Sequence, residues 1–327
     1  MPENPTRTIS WGIIGCGDVT ELKSGPAYQK TQGFELTGVT RRDLAKAEDY
    51  AARHGVPRVF ASATELIESP DIDAVYIATP PDSHKQYALE VAAAGKPCCI
   101  EKPMAPTYQD CLEILAAFEA NTTPVYVAYY RRTLPRFLQV KKWIDDGAIG
   151  KVRHVHWQYS KPPSEIDLSD NYNWRTDAKI AKGGHFDDLA SHGFNLFCYL
   201  LGDVKSASGI CANQLGLYSA YDSISSNWIH ESGVTGTGFL NFGSFEHVDQ
   251  VEILGSEGRI HFPVFAEQPI TLASASDSQS LEIKHPENVQ LHHVEALRDD
   301  LFGIRTHPSL GATGAHTNWI LDEILKS

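Results

Sequence analysis

The sequence predicts an α/β protein. An N-terminal Rossmann-type, doubly wound parallel sheet is followed by an α+β domain with a large, mostly antiparallel open sheet. Three observations predict it. The first third of the chain alternates short, continuously apolar runs with helix-period segments, which calls for a parallel sheet covered on both faces. A Gly-x-Gly turn follows the first apolar run. From about residue 150 strands follow one another with short turns, the rhythm of an antiparallel sheet. At 327 residues the chain exceeds what one hydrophobic core usually serves. The expected division is a nucleotide-binding domain over 1–124 and a substrate-binding and oligomerisation domain over 125–327.

The strands of the first domain are expected at 10–15, 34–40, 74–78, 98–100 and 125–129. Helix-period segments lie between them at 44–53, 83–94, with Gly95 as C-cap, and 108–120. A helix over 135–146, closed by Gly147, leads into the second domain. There 152–160 alternates, with Arg153, Val155, Trp157 and Tyr159 on one face. Further strands are expected at 206–212, 235–242, 248–254 and 259–262, the last two joined by Gly255-Ser256-Glu257-Gly258 as a hairpin. One helix, 186–201, interrupts this series, and another, 313–326, ends it.

Composition narrows the function classes. The chain is 42% hydrophobic and 21% charged, with no low-complexity tract, so it folds as an ordinary globular protein. A net charge of −13 repels polyphosphate backbones and anionic membranes, which argues against nucleic acid and membrane as partners. It leaves room for a local basic pocket around a single phosphate. Six cysteines, at positions 16, 98, 99, 111, 198 and 211, show neither CxxC pairing nor zinc-ligand spacing. A reduced, cytoplasmic protein without a metal is expected, and no apolar run suits a signal peptide or a membrane span.

Chemistry concentrates at two places. In Gly15-Cys16-Gly17-Asp18-Val19-Thr20 the first glycine permits the tight turn and the second lets a pyrophosphate approach the backbone at a helix N-terminus. Thr20 stands where a third glycine usually packs, so looser packing is expected there. An acidic residue at the end of the second strand would select NAD. This sequence has Thr40-Arg41-Arg42 instead, suited to clamping a 2′-phosphate, so NADP(H) is favoured over NAD(H). The alternative is a solvated charge pair before a helix capped by Asp43. Two further loops, Thr79-Pro80-Pro81-Asp82-Ser83-His84 and Glu101-Lys102-Pro103, stand at C-terminal ends of parallel strands, where open α/β sheets bind ligands. A desolvated lysine there can hold a substrate oxygen; taken alone, Lys102 reads as a solvated loop residue.

The second place is Lys182-Gly183-Gly184-His185-Phe186-Asp187-Asp188-Leu189-Ala190-Ser191-His192. Asp188 and His192 lie four apart on a helix and share a face, a carboxylate–imidazole arrangement suited to acid/base work near neutral pH. The alternative is an ordinary surface pair or a core histidine. His185 is expected to precede the helix, and Asp187 to point to another face. Tyr130, Arg131, Trp157, Tyr159, Trp174 and Arg175 offer aromatic faces and hydrogen-bonding edges to a carbohydrate or polyol, with sheet core or subunit contact as the alternative for Trp157 and Tyr159.

Taken together, Gly15-Cys16-Gly17, Ala78-Thr79-Pro80, Glu101-Lys102-Pro103, Trp174-Arg175 and the Asp188/His192 helix resemble the glucose–fructose oxidoreductase / inositol dehydrogenase / MocA (Gfo/Idh/MocA) family over essentially the whole chain. The resemblance implies an NAD(P)-dependent dehydrogenase or reductase acting on a secondary alcohol or carbonyl of a sugar, polyol or related diol. Lys102, Asp188 and His192 form its catalytic group. Gly15, Gly17, Asp18, Val19, Arg41, Arg42, Thr79, Pro80, His84, Glu101, Lys102 and Arg175 are assigned to the cofactor. Tyr130, Arg131, Trp157, Tyr159, Trp174 and His185 are assigned to the substrate. A homodimer or homotetramer through the C-terminal sheet is expected. Two departures stand out: Pro81 where many relatives have Asn, and Asn195 where many have Asp. Two other functions fit the same fold: a non-catalytic dinucleotide or sugar sensor, and an NAD-dependent glycoside hydrolase.

Overall fold

The structure, a computed structural model, describes residues 7–169, 171–275 and 278–326. Six parallel strands form the first sheet: β1 (Ile9–Ile14), β2 (Phe34–Thr40), β3 (Arg58–Val59), β4 (Ala74–Ile77), β5 (Cys98–Ile100) and β6 (Val125–Val127), in the order β3-β2-β1-β4-β5-β6. Helices α1 (Asp18–Leu22), α2 (Gly25–Lys30), α3 (Leu44–His54), α4 (Ala63–Glu68), α5 (His84–Ala93) and α6 (Tyr108–Ala120) connect them. The reversal of strand order between β1 and β4 is the switch point at which such sheets bind ligands. β4, β5 and β6 are buried at every residue, as strands covered on both faces must be. One core lies to either side: Leu66, Ile77, Val91, Ile100 and Ile114 on the first, and Trp11, Tyr28, Val39, Tyr50 and Tyr76 on the second.

Helix α7 (Pro135–Asp145) precedes the second sheet, whose eight strands are β7 (Val152–Ser160), β8 (Val204–Ala212), β9 (Ser223–His230), β10 (Thr235–Asn241), β11 (Val248–Gly255), β12 (Gly258–Phe262), β13 (Ile270–Ser274) and β14 (Ser278–Leu281). Their order is β14-β13-β12-β11-β7-β10-β9-β8, antiparallel except where β10 runs parallel to β7. Helix α8 (His185–Leu201) interrupts the strand series, and its burial follows from its sequence: Phe186, Ala190, Phe194 and Phe197 are enclosed. A side chain at Gly193 would meet the Trp157 ring at 2.4 Å, so only glycine lets α8 lie this close to β7. Helices α9 (Leu291–Leu301) and α10 (Gly311–Leu325) follow the second sheet.

Contacts divide the chain into two compact units that do not follow chain order. Residues 1–134 and 286–315 form the first, 135–285 and 316–327 the second. The segment 286–315 belongs with the first sheet for a physical reason. β6 is an edge strand, and the segment covers it: Val127 N–H donates to the Ser309 carbonyl at 3.2 Å, Ser309 Oγ donates to the Val127 carbonyl at 2.8 Å, and Tyr126 bridges Leu310. Tyr130 and Arg131, expected in a second domain starting at 125, fall within this first unit. Among the described residues no helix is long and apolar enough to cross a membrane.

Candidate active site

In the first unit the glycine turn takes the form the spacing predicts. Gly15 has φ +91°, and a side chain there would press on Thr79 Cγ2 at 2.7 Å. Gly17 is the N-cap of α1, and a Cβ on it would meet nothing closer than the Gly15 carbonyl at 3.8 Å. The backbone is therefore open to a ligand there, as a dinucleotide pyrophosphate requires. Thr20 does not loosen the turn. Its hydroxyl donates to the Gly17 carbonyl at 2.7 Å, its own carbonyl accepts the Tyr50 hydroxyl at 3.1 Å, and it is fully buried. The expectation of looser packing fails because the threonine folds its polar atom back onto the turn. Asp18 and Val19 follow in the first turn of α1. Arg41 reaches the same turn, its guanidinium donating to the Cys16 carbonyl at 3.1 Å, while Arg42 stands exposed beside it. A cation fixed there, next to an open backbone, fits the adenosine phosphate end of a dinucleotide.

The two strand-end loops are tied together by His84. One ring nitrogen lies 2.7 Å from the Thr79 carbonyl and the other 3.1 Å from the Pro103 carbonyl. The ring is fully buried, and burial holds its pKa down against those carbonyls and Glu101. Pro80 precedes a short 3-10 turn that Pro81 opens. Glu101 does not extend outward. Its Oε1 accepts the Tyr76 hydroxyl at 2.6 Å and the Gln290 amide at 2.8 Å, and its Oε2 accepts the Lys102 N–H at 3.1 Å. A buried carboxylate held by three donors anchors the backbone that carries Lys102. Sequence reasoning missed Tyr76 and Gln290, which lie on β4 and just before α9, far from Glu101 along the chain. Arg131 is buried with its guanidinium over the Tyr130 ring at 5.0 Å.

In the second unit α8 carries the remaining chemistry. Its N-cap, Gly184, has φ +64°, and a Cβ there would approach the Tyr221 carbonyl at 2.8 Å. His185 is the first residue of the helix rather than a residue before it, because the left-handed Gly184 turns the chain into α8 one residue earlier than expected. His185, Asp188 and His192 thus stand at i, i+3 and i+7 on one face. Asp188 Oδ2 accepts the Arg175 Nε–H at 3.2 Å, and Arg175 lies over the Trp174 ring at 4.4 Å. Asp187 turns aside as expected, to the Gly183 N–H at 2.9 Å; burial, with Asp322 and Asp188 nearby, lifts its carboxyl to about 7. Asn195 is buried and donates to Thr317 Oγ1 at 2.9 Å.

The aromatic candidates separate. Trp157 is enclosed in the core, edge-on to Phe197 at 5.5 Å, so it supports α8 and offers no face to a ligand. Tyr159 is nearly buried, between Phe242 and Phe265, and its phenol is pushed up to about 12 by burial and by the Asp249 and Asp188 carboxylates. The Phe265 ring meets His192 edge-on at 5.9 Å. Asp249 fixes the loop that carries Phe265 by accepting the N–H groups of Val264, Phe265 and Ala266, and Arg136 donates to the Ala266 and Gln268 carbonyls. Elsewhere in this unit Cys198, Asp203 and His316 place potential ligand atoms within 4.8 Å of one another. There His316 Nε2 accepts the Val204 N–H at 3.2 Å, so the ring fastens the start of β8.

A switch-point parallel sheet with an open glycine turn, joined to a unit whose helix presents a carboxylate and an imidazole, defines a dinucleotide-binding oxidoreductase of two sheets. The sequence model described as "Oxidoreductase family, NAD-binding Rossmann fold" matches residues 9–129, and that of the GFO/IDH/MocA C-terminal domain matches 137–261. The chain is 36% identical to Oxidoreductase P35 of Formosa agariphila over 96% of its own length and 97% of that protein. It is 25% identical to 1,5-anhydro-D-fructose reductase of Ensifer adhaerens, over 95% and 92% respectively. Among solved structures, levoglucosan dehydrogenase in complex with NADH and levoglucosan superposes with a TM-score of 0.89 at 22% identity, covering 98% of this chain and 97% of that one. The chain belongs to the Gfo/Idh/MocA family of NAD-binding oxidoreductases.

Proposed function

We propose that the protein transfers hydride between NADP(H) and a secondary alcohol or carbonyl carbon of a sugar, polyol or related diol, with Lys102, Asp188 and His192 as catalytic residues. A bound nicotinamide supplies the hydride acceptor or donor. In oxidation His192 takes the hydroxyl proton, Asp188 stabilises the resulting imidazolium, and Lys102 hydrogen-bonds the substrate oxygen; in reduction the proton returns by the same route. The observation that carries this reading is the α8 face. There His192 sits one turn from a carboxylate already oriented by Arg175. Relatives named for inositol, 1,5-anhydro-D-fructose and levoglucosan support the substrate class.

The phosphate preference rests on Arg41, held at the Gly15–Gly17 turn by Cys16. NADPH is expected to bind at least tenfold more tightly than NADH, and the reverse order in a fluorescence titration would overturn the preference. Cytoplasmic residence is supported by the six cysteines, which form no disulfide among the described residues. Assembly as a homodimer or homotetramer is supported by the sheet face opposite Trp157, which presents Ile210, 77% exposed, with Phe239, Ile229 and Leu254 half-buried. Incubation with a sugar, polyol and diol panel tests the central reading. Stoichiometric change in cofactor absorbance is expected. Glycoside cleavage without net cofactor change would point to the hydrolase, and no turnover of any compound to a sensor.

A further inference from the structure

The α8 face holds a second imidazole, His185, two turns from His192 and about 10 Å away along the axis. Its Nε2 lies 2.9 Å from Asp167 Oδ1. Asp167 also accepts the Ser164 N–H at 2.9 Å and its hydroxyl at 2.5 Å, and these donors with His185 hold its carboxyl below the usual range. A carboxylate only accepts, so Nε2 carries a proton; burial holds the ring's pKa down and keeps it neutral, so Nδ1 presents a lone pair. Nδ1 makes no hydrogen bond among the described residues, yet it is not one of the fully enclosed polar atoms. This is an oriented acceptor with something left to bind.

Two rings pack beside it. The Phe242 ring lies 5.3 Å from His185, and rings then run on through Tyr159 (6.1 Å) and Phe265 (5.4 Å) to His192 (5.9 Å). The two histidines therefore bracket a continuous aromatic run, in which Phe242 and Tyr159 are buried and only the half-buried Phe265 has an edge or face left for the C–H side of a sugar or cyclitol ring. Tyr218 meets His185 edge-on at 6.1 Å, and its hydroxyl is buried without a hydrogen-bond partner among the described residues. A buried hydroxyl left so is costly unless water or a ligand completes it.

We infer that His185, oriented by Asp167, is a specificity residue that accepts a hydrogen bond from a second substrate hydroxyl, remote from the reacting carbon. The inference rests on the proposed function and deepens it: the substrate is polyhydroxylated, and a simple secondary alcohol is rejected. A site built to bond a hydroxyl discriminates strongly against an analogue lacking it, because its own polar groups are then left unpaired. Asp167 acts through His185 and is a positioning residue.

The test compares kcat/KM for matched pairs: cyclohexane-1,4-diol against cyclohexanol, and inositol and levoglucosan against analogues that lack one hydroxyl away from the oxidised carbon. The wild type is expected to prefer the hydroxylated member by about 10² or more. His185→Phe, which keeps a ring against Phe242, should reduce that preference to under about tenfold, mainly through KM, and Asp167→Asn should reduce it partly. An undiminished preference in both variants, with only a lowered Tm, overturns the inference while leaving the reading of Lys102 and His192 intact. Should the wild type turn over no compound, the ¹⁵N resonances of His185 decide separately. A shift of Nδ1 on titration with inositol or levoglucosan supports the subsite, and no shift with any polyol overturns it.

Discussion

The loop that carries Lys102 and the helix that carries His192 are both held by carboxylates, but in different ways. Glu101 is buried and satisfied by a phenol, an amide and a backbone N–H, so it fixes main chain and leaves the lysine side chain to act. On α8, Asp188 is held by a guanidinium and His185 by Asp167, so what is fixed there is the orientation of side chains that can carry charge. Neutral donors make a rigid platform whose failure is structural. Charged and titratable partners make a face whose failure is chemical.

The largest effect should come from breaking the platform. Glu101→Ala strands the Tyr76 hydroxyl and the Gln290 amide, two buried donors, and should destabilise the first unit by about 3 kcal/mol or more in urea unfolding. A loss below about 1 kcal/mol would show that the carboxylate is not the anchor described.

Acid should separate the two regions next. His293 and His307 are buried in the first unit, ring to ring at 4.7 Å, and burial holds His307 down to about 4 and His293 well below its ordinary value. Both are neutral when folded but take up a proton more readily when unfolded. Their contribution is complete above about pH 6.5 and is lost as pH falls towards 4, by up to about 1.4 kcal/mol per pH unit for each ring. Asp187, in the second unit, runs the other way. Its raised carboxyl penalises folding as pH rises from about 4 to 7, and because the residue as a whole is only half-buried, the cost is on the order of 1 kcal/mol. Unfolding at a series of pH values should show His307→Asn flattening the acid limb and Asp187→Asn raising stability near neutrality. Unchanged profiles in both variants would contradict the assignments.

A smaller effect on folding, but a clear one on binding, is expected at the glycine turn. Gly15→Ala must shift Thr79 and adopt a left-handed backbone, at a cost of about 1–2 kcal/mol, and cofactor affinity should fall at least tenfold by titration. Wild-type affinity would show that the turn does not meet the cofactor.

Much of this architecture was legible in the residues. Helix α6 and strand β7 fall at the expected bounds because their periodicities, 3.6 and 2, are unbroken. Strand β9, Ser-Ile-Ser-Ser-Asn-Trp-Ile-His, went unread because serine and asparagine mask its alternation. Helix α9 was missed as well, since its short polar-rich pattern lies in a segment that joins the first unit only through long-range contacts. At the site, Asp188 and His192 are visible as an i,i+4 pair. The partners that orient the site are not: Arg175 on Asp188, Asp167 on His185, and Tyr76 with Gln290 on Glu101 are brought together by tertiary folding, and no local spacing encodes them.

The central claim, that Lys102 and His192 act on the substrate and not on the fold or the cofactor, is tested most directly by measuring turnover and cofactor Kd together in Lys102→Met and His192→Ala. The account expects kcat to fall by about 10² or more in each, with Kd for NADPH within about threefold of wild type. Near-normal turnover in both variants would contradict it.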